Sequence, residues 1–219
     1  MKFLRENGLT IVLLTATAVT ITGMIFTGLS VYNEDLADHG ARTILVLQYL
    51  QSGHFLSALF ENWESEFLKM SAYVVLTAFL FQRGSAESKD PDAPAAQDED
   101  PVLKQSNADA PLPVRMGGIP KTLYSYSLGI MLFALFIISF VWHVRDSAAA
   151  QAEEAILHGA AAPTVMNHLF SAQLWFESFQ NWQSEFLSTA VVVVLSIFLR
   201  FRGSPESKPV AAPHSETGS

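Results

Sequence analysis

The 219 residues are half apolar and have positive mean hydropathy, yet they carry a formal charge of −8, so the charges must be kept apart from the apolar runs. Only 13 Lys and Arg are present, too few and too scattered to neutralise a phosphate backbone, which excludes nucleic acid as the partner. Cysteine is absent, which removes disulfides, thiolate metal sites and cysteine nucleophiles from consideration.

The first element is Leu9 to Val31, without a charged residue and longer than the roughly 20 residues that cross a hydrocarbon core. Lys2 and Arg5 precede it, as they would the apolar part of a secretory signal. The run Thr122 to Val144 holds the matching place later in the chain, where cleavage would split the protein, so the first run is read as a retained transmembrane helix. Ala16, Thr20, Gly23 and Thr27 form a stripe of small residues along it that lets another helix approach. The third run has Leu135, Ser139, Trp142 and Asp146 there, so the two do not pack alike.

Ala41 to Leu50 reads as a short amphipathic helix in an outer loop, and Pro163 suits the first turn of its counterpart. Ser52 and Ser171 are the expected N-caps of the long helices that follow. A helix from Gly53 to Gln82 spans on the order of 45 Å, more than the roughly 30 Å core, so its first turns stand outside the lipid or lie against neighbours. Its apolar part, Phe67 to Phe81, is interrupted only by Lys69, and Phe186 to Leu199 is the uncharged counterpart.

These correspondences come from a repeat. Phe60 to Lys89 and Phe179 to Lys208, 119 residues apart, share 18 of 30 positions without a gap. The same offset pairs His39-Gly40-Ala41 with His158-Gly159-Ala160, Leu50 with Leu169 and Ser52 with Ser171. A period this long exceeds that of solenoid arrays and makes each copy a complete half of a bundle. The fold class expected is an all-α membrane protein built of two tandem repeats, each with two transmembrane helices and a short outer-loop helix. Residues 1–89 form the first repeat, 90–119 a disordered linker rich in Asp, Pro, Ala and Gln, 120–208 the second repeat, and 209–219 a disordered tail.

Ten Lys and Arg fall on the side holding both termini and the linker, and three, Arg42, Lys69 and Arg145, on the other. The positive-inside rule therefore puts both termini in the cytoplasm. Each repeat then enters the membrane in the same direction, with a pseudo-two-fold axis along the membrane normal.

On the long helix Asn62, Ser65, Glu66 and Lys69 form one polar stripe, opposite Leu56, Phe60, Trp63 and Phe67. The second copy keeps Asn181, Ser184 and Glu185 and has Ser188 for the lysine, while Glu61 and Glu64 become Gln180 and Gln183. The retained stripe is read as the inward face and the drifting positions as solvated. Asn62, Ser65, Glu66, Asn181, Ser184 and Glu185 are thus a candidate polar site, in which the glutamates either bind a cation or relay protons, or serve only helix packing. Trp63 and Trp182 suit the interfacial aromatic belt, and Arg83 and Arg202 anchor at the cytoplasmic phosphates, each followed by a glycine read as a helix C-cap. His39, His54, His143, His158 and His168 share the outer side with carboxylates, but no compact ligand spacing occurs, and no metal, cofactor or catalytic set is assigned.

The doubled Asn-Trp-Glu/Gln-Ser-Glu-Phe-Leu motif, the doubled Arg-Gly-Ser-x-Glu-Ser-Lys end and the initial Phe3-Leu-Arg-Glu-Asn7 resemble an uncharacterised family of bacterial four-span membrane proteins, a domain of unknown function. That resemblance covers about the whole chain and implies the bacterial inner membrane, without transferring an activity. His54 faces Gln173 in the second copy, which weakens a symmetric histidine site. The functional expectation is a non-catalytic scaffold or envelope-associated protein, not an enzyme. Its partners are the lipid bilayer and a second copy or another membrane protein. The alternative is a small ion or proton carrier using Glu66 and Glu185.

Overall fold

The computed structural model describes residues 2–218, and among them every regular element is helical. Four helices are long: α1 (Lys2–Asp38), α3 (Gly53–Phe79), α6 (Ser127–Leu157) and α8 (Ala172–Phe198). Four are short: α2 (Val46–Tyr49), α4 (Leu112–Met116), α5 (Gly118–Ser125) and α7 (Val165–Leu169). The outer-loop helix expected over 41–50 is confined to α2. Pro163 lies just before the N-cap of α7, where the Thr164 hydroxyl accepts from the Asn167 amide at 3.2 Å.

By length and composition α1, α6 and α8 suffice to cross a membrane. The last 18 residues of α3 contain Glu64, Glu66 and Lys69, which sets it apart from α8 although the two are equally long. Leu36 is the buried residue of α1; Leu9, Leu14 and Phe26 are exposed, while Ile21, Met24, Ile25, Leu29 and Tyr32 are half-buried. An apolar surface of that extent marks contact with lipid or another protein. Its threonines suit lipid as well. Thr15, Thr17, Thr20, Thr22 and Thr27 each donate to the carbonyl four residues back at 2.7–3.0 Å, so none carries an unsatisfied hydroxyl outward.

The chain divides into two compact units. The first contains the described residues through Glu61 together with Phe140–Trp175. In it the Ser52 and Ser171 hydroxyls cap α3 and α8, accepting from the Phe55 and Leu174 amides at 3.2 and 3.3 Å. Its buried residues include Tyr49, Phe55, Val144, Ala148, Leu174, His143 and His168. Gly53 brings the start of α3 against the backbone of α6: a Cβ there would lie 2.4 Å from the Ala150 nitrogen and 2.8 Å from the Asp146 oxygen.

The second unit contains Asn62–Ser139 and the described residues from Phe176 on. In it α3 and α8 end at Phe79 and Phe198, several residues before the glycines read as C-caps. Gly84 and Gly203 instead occupy the third place of β-turns closed by Ser85 N–H to Gln82 O and Ser204 N–H to Phe201 O, both 3.1 Å. Their φ of +85° and +89° is the left-handed conformation that glycine adopts without a Cβ penalty. The segment read as a linker, 90–119, carries two 3-10 turns, Ala96–Asp98 and Pro101–Lys104, and α4. The segment read as a tail returns to the β-turn at 82–85. Thr217 Oγ1 accepts from Gly84 N–H and Gly218 N–H donates to Ser85 O, both at 2.9 Å. The wholly buried Lys208 ammonium donates to the carbonyls of Gly84, Pro213, His214 and Glu216 at 2.5–3.2 Å. Burial pushes its pKa below the ordinary lysine value, with Arg200 adding to the effect and Glu216 opposing it.

Candidate functional site

The polar stripe lies within the second unit, on α3 and α8. Lys69 is its centre. Its ammonium donates to both Glu66 oxygens at 2.8 Å and stands 3.1 Å from Glu185 Oε2. Glu66 is three residues before Lys69 and so shares its helix face, while Glu185 comes from α8. The Lys69 side chain is 16% exposed, that of Glu66 47% and that of Glu185 27%, so water screens the cluster from one side. One cation for two carboxylates leaves a net charge of −1. The ammonium stands between the carboxylates, where a bound cation would otherwise bridge them.

Ser65, Ser184 and Asn181 each donate a side-chain hydrogen bond to a carbonyl of their own helix. The Ser65 and Ser184 hydroxyls donate to the Asn62 and Asn181 carbonyls at 2.8 Å, and Asn181 Nδ2 donates to Glu177 O at 3.4 Å. Ser65 is buried, whereas Asn62 and Ser184 are exposed. Ser188, which stands where the first copy has Lys69, donates to the Glu185 carbonyl at 2.9 Å.

The position expected to be solvated is the most buried one. Glu64 has no exposed surface and accepts from Trp182 Nε1 at 2.8 Å, while its counterpart Gln183 is exposed and donates to its own helix at Gln180 O. The exchange of Glu for Gln therefore reflects two different surroundings rather than one solvated face. Trp182 is more than an anchor, since its ring also meets Phe179 and Phe136 edge-on at 5.5 and 6.3 Å. Trp63 is 38% exposed. Arg83 pairs with Asp92 at 2.7 Å on the surface, and Arg202 is exposed.

A family model described as Domain of unknown function (DUF6766) matches residues 1–219. The chain belongs to the DUF6766 family. No curated protein and no solved structure matches it.

Among the described residues of this DUF6766 chain no group of three or more metal-ligating His, Asp or Glu side chains occurs. In the first unit His168 is a core histidine. Its Nδ1 lies 3.1 Å from Gln151 Oε1 and 3.3 Å from the Ser171 hydroxyl, and its Nε2 lies 2.8 Å from the Ser147 hydroxyl. His39 and His158 meet edge to face at 5.0 Å, each with Nδ1 2.9 Å from a carbonyl in the last turn of the helix before it. Sequence reasoning also missed Tyr49, whose hydroxyl lies 3.2 Å from His54 Nδ1 and whose ring packs on Tyr32 and Phe55. The available signal was Gly28, which has no side chain where a Cβ would collide with the Tyr49 hydroxyl.

Proposed function

We propose that this DUF6766 chain is a multi-pass protein of the bacterial inner membrane, with two tandem two-span repeats and both termini in the cytoplasm, serving as a non-catalytic scaffold. Boundaries 119 residues apart support the repeat. Helices α3 and α8 begin at Gly53 and Ala172 and end at Phe79 and Phe198, while α1 and α6 end at Asp38 and Leu157. Gly40 and Gly159 share a φ of +68°. The fourth span, α3, is inferred from this correspondence, its charged residues all preceding Met70.

The scaffold role rests on Lys69. A cation or proton carrier built on Glu66 and Glu185 needs those carboxylates free to exchange their ion, and here a tethered ammonium bridges them. A permanent internal counter-ion suits a joint between helices. Two carboxylates for one ammonium, with Glu64 buried nearby in sequence, are what keep the carrier reading in view.

Two measurements test the proposal. Liposomes reconstituted with the chain and loaded with pH- and cation-sensitive dyes are expected to show no flux above protein-free vesicles. Flux that disappears in the double variant Glu66→Gln, Glu185→Gln would replace the scaffold with a carrier. For topology, alkaline phosphatase fused near Asp98 is expected to be silent, because that segment lies in the cytoplasm in the four-span arrangement. An active fusion there rules the arrangement out.

A further inference from the structure

The doubled Arg-Gly-Ser-x-Glu-Ser-Lys end folds the same way in both copies, and both copies lie in the second unit. The Ser85 and Ser204 hydroxyls accept from the Glu87 and Glu206 amides at 3.1 and 3.2 Å, and the Ser88 and Ser207 hydroxyls accept from the Gln82 and Phe201 amides at 2.9 Å. Each glutamate is thus held at the same place on its turn. The two turns meet there, with the Glu87 carboxyl hydrogen-bonded to that of Glu206.

An ionised carboxylate only accepts, so two of them form no hydrogen bond until a proton on one supplies the donor. The surroundings favour that proton. Glu87 Oε2 accepts from the Tyr73 hydroxyl of α3 at 3.0 Å, while Oε1 is buried and, with both glutamates ionised, has no hydrogen-bond partner. From α8 comes the Ser196 hydroxyl, which is neutral: it meets Ser85 Oγ at 2.8 Å and accepts from Ala86 N–H at 3.2 Å. The nearby cations are engaged elsewhere, Lys69 by Glu66 and Glu185, Arg83 by Asp92, Lys89 by Asp98, and Arg200 and Lys208 by backbone carbonyls. Burial holds the Glu87 carboxyl above the ordinary carboxylate value; the bond from Tyr73 opposes this, and the charge and hydrogen bond of Glu206 add to it.

We propose that Glu87 and Glu206 form a proton-binding site, in which one shared proton joins the ends of the two repeats and makes the joint tighten as pH falls and loosen as pH rises. The proposal depends on the fold of the second unit and is independent of the scaffold role. Its sign follows from linkage. A carboxyl whose pKa is raised by folding contributes fully below the ordinary glutamate value, and the contribution is lost as pH rises through the raised value. Above it, two negative charges face each other in a partly dry site. Glutamine at either position imitates the protonated form, because its amide N–H donates to the remaining carboxylate at every pH.

The test uses the full chain in detergent, followed by infrared spectroscopy of the protonated carboxyl band and by thermal unfolding, both across the pH range above the ordinary glutamate value. The native chain is expected to keep a component of that band which titrates in this range, and its unfolding midpoint is expected to fall as the component disappears. Glu206→Gln is expected to abolish the component and flatten the midpoint over the same range. Glu87→Gln, which still offers Tyr73 an acceptor, is expected to do the same. A native chain whose carboxyls have all ionised by the end of the ordinary glutamate range overturns the proposal without any variant. So does a component that survives either substitution, since the proton would then sit elsewhere. A midpoint that falls as steeply in both variants as in the native chain overturns it too, because the joint would not respond to the pair.

Discussion

Gly53→Ala is expected to lower stability by about 3 kcal/mol, in the upper part of the range for overpacking a closely fitted contact. The added Cβ would meet the Ala150 nitrogen at 2.4 Å, the Asp146 oxygen at 2.8 Å and the Ala149 carbonyl carbon at 2.9 Å, all of them backbone atoms of α6. Backbone has no rotamer to escape into, so the start of α3 must move away from α6 and loosen the packing of Phe55. Close helix approach through a small residue is the usual way that membrane helices gain contact energy, and the first methyl group is the costly one. Thermal unfolding in detergent should show the loss clearly. Gly23→Ala is the matched control, because a Cβ there meets nothing within 4 Å, and its midpoint should stay level or rise slightly with the better helix former. Equal midpoints for Gly53→Ala and the native chain would show that α3 and α6 do not touch in this way.

Trp182→Phe is expected to cost about 2 kcal/mol, chiefly by taking the indole donor from a carboxylate that has no exposed surface. Phenylalanine preserves most of the ring contact with Phe179 and Phe136, so the hydrogen bond is what the substitution isolates. A double-mutant cycle with Glu64→Gln checks the assignment. The neutral amide is cheaper to leave without the indole, so the coupling energy should be favourable and exceed about 0.5 kcal/mol. Trp63→Phe should change stability by less than Trp182→Phe, since Trp63 is 38% exposed. If the two tryptophans prove equally costly and uncoupled from Glu64, both act as interfacial anchors alone.

What was legible in the sequence is what depends on neighbours along the chain. The Ser52 and Ser171 caps and the starts of α3 and α8 follow from local hydrogen bonding and periodicity, and they agree with the structure, whereas α1 begins before the run at Leu9 and α6 after the start of the run at Thr122. The helix ends at Phe79 and Phe198 were placed too late, because a glycine after a helix has the same requirement for positive φ whether it caps the helix or sits in the next turn. Glu64 departs from its expected solvated place for a different reason. Periodicity identifies faces of a helix, but which face meets a tryptophan on another helix depends on pairing, and Glu64 and Gln183 show that matched positions can meet different environments. Lys69 belonged to the stripe from the start, yet its reach to Glu185 across to α8 is a tertiary fact that spacing does not encode.

The carbonyl cage around Lys208 withdraws that amine from ordinary lysine chemistry. An acyl donor needs an unprotonated nitrogen with its lone pair turned outward, and here four carbonyl oxygens bind the ammonium from Gly84 and the segment 213–216. Burial makes deprotonation easier, while enclosure denies any reagent a line of approach. The nucleophilicity of Lys208 is thus set by how often residues 209–217 lift away, a local opening far cheaper than unfolding the helices. Lys208 becomes a chemical clock for that opening: its acylation records the time the segment spends undocked, with the exposed Lys2 as the comparison.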